Sequence, residues 1–152
     1  MEDYNELDFL IRGLEEFAMD LNKEFYQATK KHEATAIEMV QMQLLEEGIA
    51  EDGRRLQEYA PATKRWKKSK GDPYDRTTLF DTGEFQSGFE LEYEDTQSEF
   101  WMWSYDEKTQ DLHDKYSKAD SSIFGLTTEN KTILAKLVKN EIASKLKSSL
   151  NL

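Results

Sequence analysis

The stretch "TLFDTGEFQSGFELEYEDTQSEFWMWSY", residues 78–105, decides what kind of fold this chain can have. From Phe85 onward the period is two: Phe85, Ser87, Phe89, Leu91 and Tyr93 alternate with Gln86, Gly88, Glu90, Glu92 and Glu94, as a half-buried strand requires. "DTQS" then makes a turn, and the next run sets Trp101, Trp103 and Tyr105 on one face and Phe100 and Met102 on the other. An antiparallel hairpin is the reading, with bulk on both faces. One face is expected on the chain's own helices and the other on a neighbour, which makes Trp101 and Trp103 candidate partner contacts.

Just before the strand stands Asp81-Thr82-Gly83, the tripeptide of the aspartic proteases. In those enzymes two such loops share one proton between close carboxylates, so a chain with one loop has to dimerise. The surroundings argue against it. Those proteases are almost wholly β, with a small residue after the glycine and a Gly-rich flap, whereas here Glu84 follows and helical patterns stand on both sides. Asp81, Thr82 and Gly83 read instead as a structural turn: Asp81 accepts from the backbone two residues on, Thr82 adds a hydroxyl bond, and Gly83 takes positive φ to launch the strand. The chain also lacks a phosphate-cradling glycine loop and a His-x-x-x-His pair. With no cysteine and two isolated histidines, no catalytic, cofactor or metal site is assigned.

Outward from the hairpin the patterns are helical. Leu7, Leu10, Leu14, Phe17 and Leu21 step by three and four, predicting a helix over 4–29. Ala36, Ile37, Val40, Leu44 and Leu45 predict a second over 32–47, with Gly48 as its C-cap; the two could equally be one long helix bent near Lys30. At the other end Leu134, Leu137, Val138, Ile142, Leu146 and Leu150 predict a helix over 128–149, capped by Thr127 or Thr128. "KTQDLHDKYS" reads as a short helix or turn. Residues 48–80 hold both prolines and no apolar period, and read as an extended loop or arm, ordered or mobile. Within it Lys64, Arg65, Lys67, Lys68 and Lys70 surround Trp66, which is either a buried anchor or an exposed aromatic that docks a partner. Trp66, Lys64, Arg65, Lys67 and Lys68 are therefore candidate subunit or partner contacts.

The fold class expected is α+β in a single domain, 1–152: two N-terminal helices or one long bent helix, the arm, an antiparallel β-hairpin or small sheet, and a C-terminal helix. Three Trp, seven Tyr and eight Phe are too many for a disordered chain, so a core forms despite the low 38% hydrophobic content. A net charge of -11 argues against a protein whose main work is gripping nucleic acid. The absence of cysteine fits a reducing, intracellular setting. No run approaches 18 apolar residues, and Met1 leads into "EDYNE" without a basic flank, so neither membrane insertion nor signal-directed secretion is expected.

"YAPAT" (59–63), "KRWKKSKG" (64–71), "TLFDTGEFQSGF" (78–89) and "IFGLT" (123–127) follow a helical N-terminus in fixed order. In this the chain resembles the small virion-assembly proteins of tailed bacteriophages, the neck, tail-completion and virion-morphogenesis group, over most of residues 41–150. It looks most like versions from phages of gut Bacteroides-type hosts. The resemblance implies a structural virion protein, assembled in the bacterial cytoplasm, that forms a homo-oligomeric ring at the head-tail connector or neck. It would touch the portal or adjacent neck and tail proteins, let double-stranded DNA pass through the lumen without specific binding, and need neither cofactor nor catalysis. An acidic host-cell adaptor or inhibitor module with one protein partner is the alternative.

Overall fold

A computed structural model describes residues 3–152, so Met1 and Glu2, which open the acidic N-terminal run, lie outside the described residues. The fold is α+β: seven α-helices and one two-stranded antiparallel sheet among the described residues. The N-terminal helical stretch is broken twice, giving α1 (Asp3–Met19), α2 (Leu21–Lys31) and α3 (Glu33–Met42). Neither break contains Gly or Pro. At each, the ladder tightens for one residue: Asp20 N donates to Phe17 O at 3.2 Å, and His32 N to Thr29 O at 3.0 Å. Asp and His are weak helix formers, and a 3₁₀-type bond at each allows the axis to turn so that the following segment can follow the core.

α3 continues as a π-helical turn, Gln43–Glu47, and stops at Gly48 with φ 63° and ψ 42°, the expected left-handed cap. Gln43 and Leu44 are buried three and four residues after Val40, and so continue the inner face of α3.

Residues 48–80 are anchored along most of their length. Ala50, Leu56, Thr77, Thr78 and Leu79 are buried, and the segment contains α4 (Pro61–Lys70), which begins with Pro at its first turn and ends on Gly71 at φ 79°. This helix replaces the irregular run expected from the sequence. α4 has no apolar stripe to announce it, and rests instead on the helix preference of its Ala, Lys and Arg residues, with one buried side chain, Lys67.

The strand also starts later than its alternating pattern implies. Gly83 at φ 93° launches a helical turn, α5 (Glu84–Ser87), and only then β1 (Phe89–Tyr93). Phe85 and Gln86 are both buried, which a strand with one wet face would not do. β1 pairs with β2 (Phe100–Ser104) in the register Phe89↔Ser104, Leu91↔Met102 and Tyr93↔Phe100. From those pairs Phe89, Leu91 and Met102 share one buried cluster with Val40 and Leu44 of the helical layer, and Tyr93 and Phe100 meet Tyr26 and Phe25 of α2.

α6 (Thr109–Tyr116) and α7 (Thr128–Ser149) complete the chain, with the Thr127 hydroxyl accepting from Asn130 N at the start of α7. Phe85, Phe89 and Phe124 meet edge-on or tilted at ring centroid distances of 5.1 to 5.8 Å, closing the core between the hairpin and the loop before α7.

Candidate functional site

The fold brings the basic cluster onto the Asp-Thr-Gly bend. Lys70 Nζ lies 3.2 Å from Asp81 Oδ1 and 3.5 Å from Asp72 Oδ2, and sits 4.2 Å above the Trp66 ring. Its hydrogen bond to Asp81 holds the ammonium above the ordinary lysine range. The local bond expected of Asp81 is made by its neighbour instead: Thr82 Oγ1 accepts from Glu84 N at 3.4 Å and donates to the Glu84 carboxylate at 2.9 Å. Asp81 is thereby free to tether α4. A side chain one position nearer the helical turn reaches the turn's first N–H more easily, which accounts for the exchange of roles.

Lys67 points inward. It is buried, donates to the Phe80 carbonyl, and lies 5.1 Å from the Tyr59 ring, so it fastens α4 from below and takes no part in the exposed surface. Tyr59 in turn accepts from Thr78 N and Leu79 N, both at 3.0 Å. Lys64 pairs with Glu58 at 2.6 Å. Lys68 stands over Tyr74, and Arg65 is exposed with no ion pair among the described residues. Trp66 falls between its two readings: 47% exposed, it forms one wall of a cleft of about 200 Å³ that reaches Asp81 and Gly83.

The two hairpin tryptophans separate. Trp103 packs at a tilt against Phe124, with ring centroids 4.9 Å apart, and against His113 at 5.5 Å, so its ring is largely occupied within the chain. Trp101 is 48% exposed, with its indole N–H donated to Glu92 at 3.0 Å. It stands at the edge of a feature that the sequence did not disclose, an apolar groove of about 850 Å³ between β2 and α7. Phe25, Phe100, Trp101, Leu134, Val138 and Ile142 line it, and on its rim stand Lys139 and an ion pair, Lys131 with Glu51 at 3.3 Å. The α7 stripe was legible as a helical period. That part of it faces an open groove follows only from where β2 ends.

A second apolar surface lies on α1. Leu10, Gly13 and Phe17 are half-buried, while Leu7, Ile11 and Leu14 are between 44% and 55% exposed. The seam expected from the sequence therefore divides, with one side turned to the chain's own α7 and the other uncovered. These surfaces are suited to docking apolar helices. Among the described residues no cluster of three or more His, Cys, Asp or Glu side chains could hold a metal ion, and no helix is long and apolar enough to cross a membrane.

No family model matches the chain, and no curated protein or solved structure matches it significantly.

Proposed function

We propose that this chain is a structural virion protein of a tailed phage, a subunit of a ring at the head-tail connector or neck. The observation that carries the reading is the uncovered Leu7, Ile11 and Leu14 face of α1 on a subunit that also leaves an apolar groove open. Contiguous apolar surface of this kind marks an interaction site, and a subunit with two such surfaces can be bridged on both sides. The order of "YAPAT", "KRWKKSKG" and "TLFDTGEFQSGF" supports the same assignment by resemblance. The role is assembly without catalysis. Asp81 is accounted for as the tether to Lys70, and the net charge of -11 suits a wall past which DNA moves. Portal or adjacent neck and tail proteins are the neighbours proposed.

Antibody labelling of purified tailed particles, viewed by electron microscopy, tests the reading. Label at the head-tail junction is the expected result. A chain missing from particles and bound one-to-one to a soluble cellular protein would overturn it in favour of an adaptor.

A further inference from the structure

We infer that α1 of one subunit docks its Leu7, Ile11 and Leu14 stripe into the β2–α7 groove of the next copy, joining copies head to tail. This rests on the ring reading above and names the contact that builds the ring.

Three observations fix the occupant as a second copy. The first is geometry within the subunit. A Cβ on Gly13 would lie 2.6 Å from Leu150 Cδ2, so α1 is pressed against the far end of its own α7 and cannot also fill the groove beside Leu134 and Val138. Leu10 and Phe17 share that covered side, and Leu7, Ile11, Leu14 and Ala18, spaced four, three and four, form the next face round the helix.

The second is charge. α1 carries five acidic residues against Arg12, and α7 carries five lysines against two glutamates. Asp8 and Glu15, seven residues apart, border the exposed stripe on the side away from Leu10 and Phe17. Lys139, on the groove's rim, has no ion pair among the described residues, and nor does Lys136 one turn before it. An acidic-edged apolar helix thus meets an apolar groove whose rim, with Lys131 paired to Glu51, keeps the positive charge of Lys139 for a partner.

The third is length. The stripe from Leu7 to Ala18 runs about 17 Å at the α-helical rise, and the groove follows α7 from Lys131 to Leu146 for about 22 Å. The stripe is therefore contained within the length of the groove. Because the stripe and the groove are different patches of one chain, the contact is heterologous and propagates from copy to copy until the rotation closes a ring.

The chain has no cysteine, so introduced ones report without background. Leu14→Cys subunits mixed with Ala143→Cys subunits and treated with a short bismaleimide should give a mixed covalent dimer. Leu14→Cys with Lys118→Cys, on the loop after α6, is the control pair. Ile11→Glu added to the Leu14→Cys chain alters an exposed position, so circular dichroism should be unchanged while cross-linking falls about tenfold, because a carboxylate would enter an apolar groove. Glu15→Lys should weaken the cross-link and Lys139→Glu in the partner chain should restore it. Equal cross-linking of the test and control pairs, or no effect of Ile11→Glu, would overturn the inference. So would sedimentation showing a closed dimer that never grows. If those results came with the chain still labelled at the particle neck, only the docking mode would fall and the ring reading would stand.

Discussion

Gly83 carries the bend between α4's tether and the hairpin at φ 93°, a conformation that a branched side chain resists. A Cβ there would meet only the Phe80 ring, at an ordinary 3.4 Å, so the penalty of substitution is backbone strain rather than collision. Gly83→Val is expected to lower stability by about 1–3 kcal/mol in urea melts, and a variant that melts with the parent would remove the strain argument. Tyr93 makes a second test. Burial, with Glu33 and Tyr26 adding to it, pushes its phenol up to about 12 from the usual 10, and its hydroxyl is buried with no hydrogen-bond partner among the described residues. Above pH 10 the unfolded chain has released this proton and the folded chain has not, so stability falls as pH rises from 10 to 12. Tyr93→Phe should leave stability at pH 7 unchanged or higher by up to about 1 kcal/mol, and should flatten the alkaline loss. Tyr105, held up by its bond to Glu92, keeps part of that slope. Denaturant midpoints at pH 7, 10 and 11 measure both effects, and a Phe variant with the parent's alkaline slope would show that Tyr93 does not cause it.

At the scale of elements, Gln43, where α3 passes into its π-helical turn, has a definite task. It is buried on the same face as Ala36 and Val40, and its Nε2 donates to Gly125 O at 3.0 Å while Oε1 accepts from Thr127 N at 2.9 Å and Asn130 Nδ2 at 2.7 Å. One side chain thus joins α3 to the loop before α7 and to α7's first turn. Gln43→Leu fills similar space but leaves a buried carbonyl and an amide N–H without partners, at a cost of roughly 2–3 kcal/mol. Hydrogen exchange should quicken in the first turn of α7 more than in β1. Uniform loss of protection would mean that the side chain supports the whole core rather than this junction.

For the whole molecule, charge is arranged so that the one basic cluster is largely occupied from within. Lys67 is buried, Lys64 pairs with Glu58, and Lys70 with Asp81, which leaves Arg65 and Lys68 outermost on α4. Against a net charge of -11 these are too few to hold phosphates at physiological salt. Mobility-shift titration with duplex DNA is expected to show no binding tighter than roughly 10 μM, the range of non-specific contacts, and a tighter complex would overturn the reading of a surface that lets DNA pass.

How far the fold was legible follows from which forces act locally. α7 could be placed from residue 128 to 149 because its apolar period, its Thr127 cap and its freedom from Gly and Pro all agree, and each acts within a few residues. Gly48 and Gly83 were legible for the same reason, since a left-handed residue is a local demand. The hairpin was legible in its existence but not at its start: the alternation from Phe85 is real in sequence, yet Gly83 and the Thr82 bond to Glu84 N turn Glu84–Ser87 into a helical turn before pairing begins at Phe89. α4 was hidden because its single buried side chain is a lysine, whose carbonyl and aromatic partners, Phe80 and Tyr59, lie outside the helix. The candidate surfaces divide the same way. An amphipathic α1 is written in its own residues, but which half of its stripe stays uncovered depends on Leu150, and the groove exists only because β2 and α7 stand apart where no other element fills the space. Periodicity and caps are short-range properties that one segment can encode, whereas an open apolar face is a property of what fails to reach it.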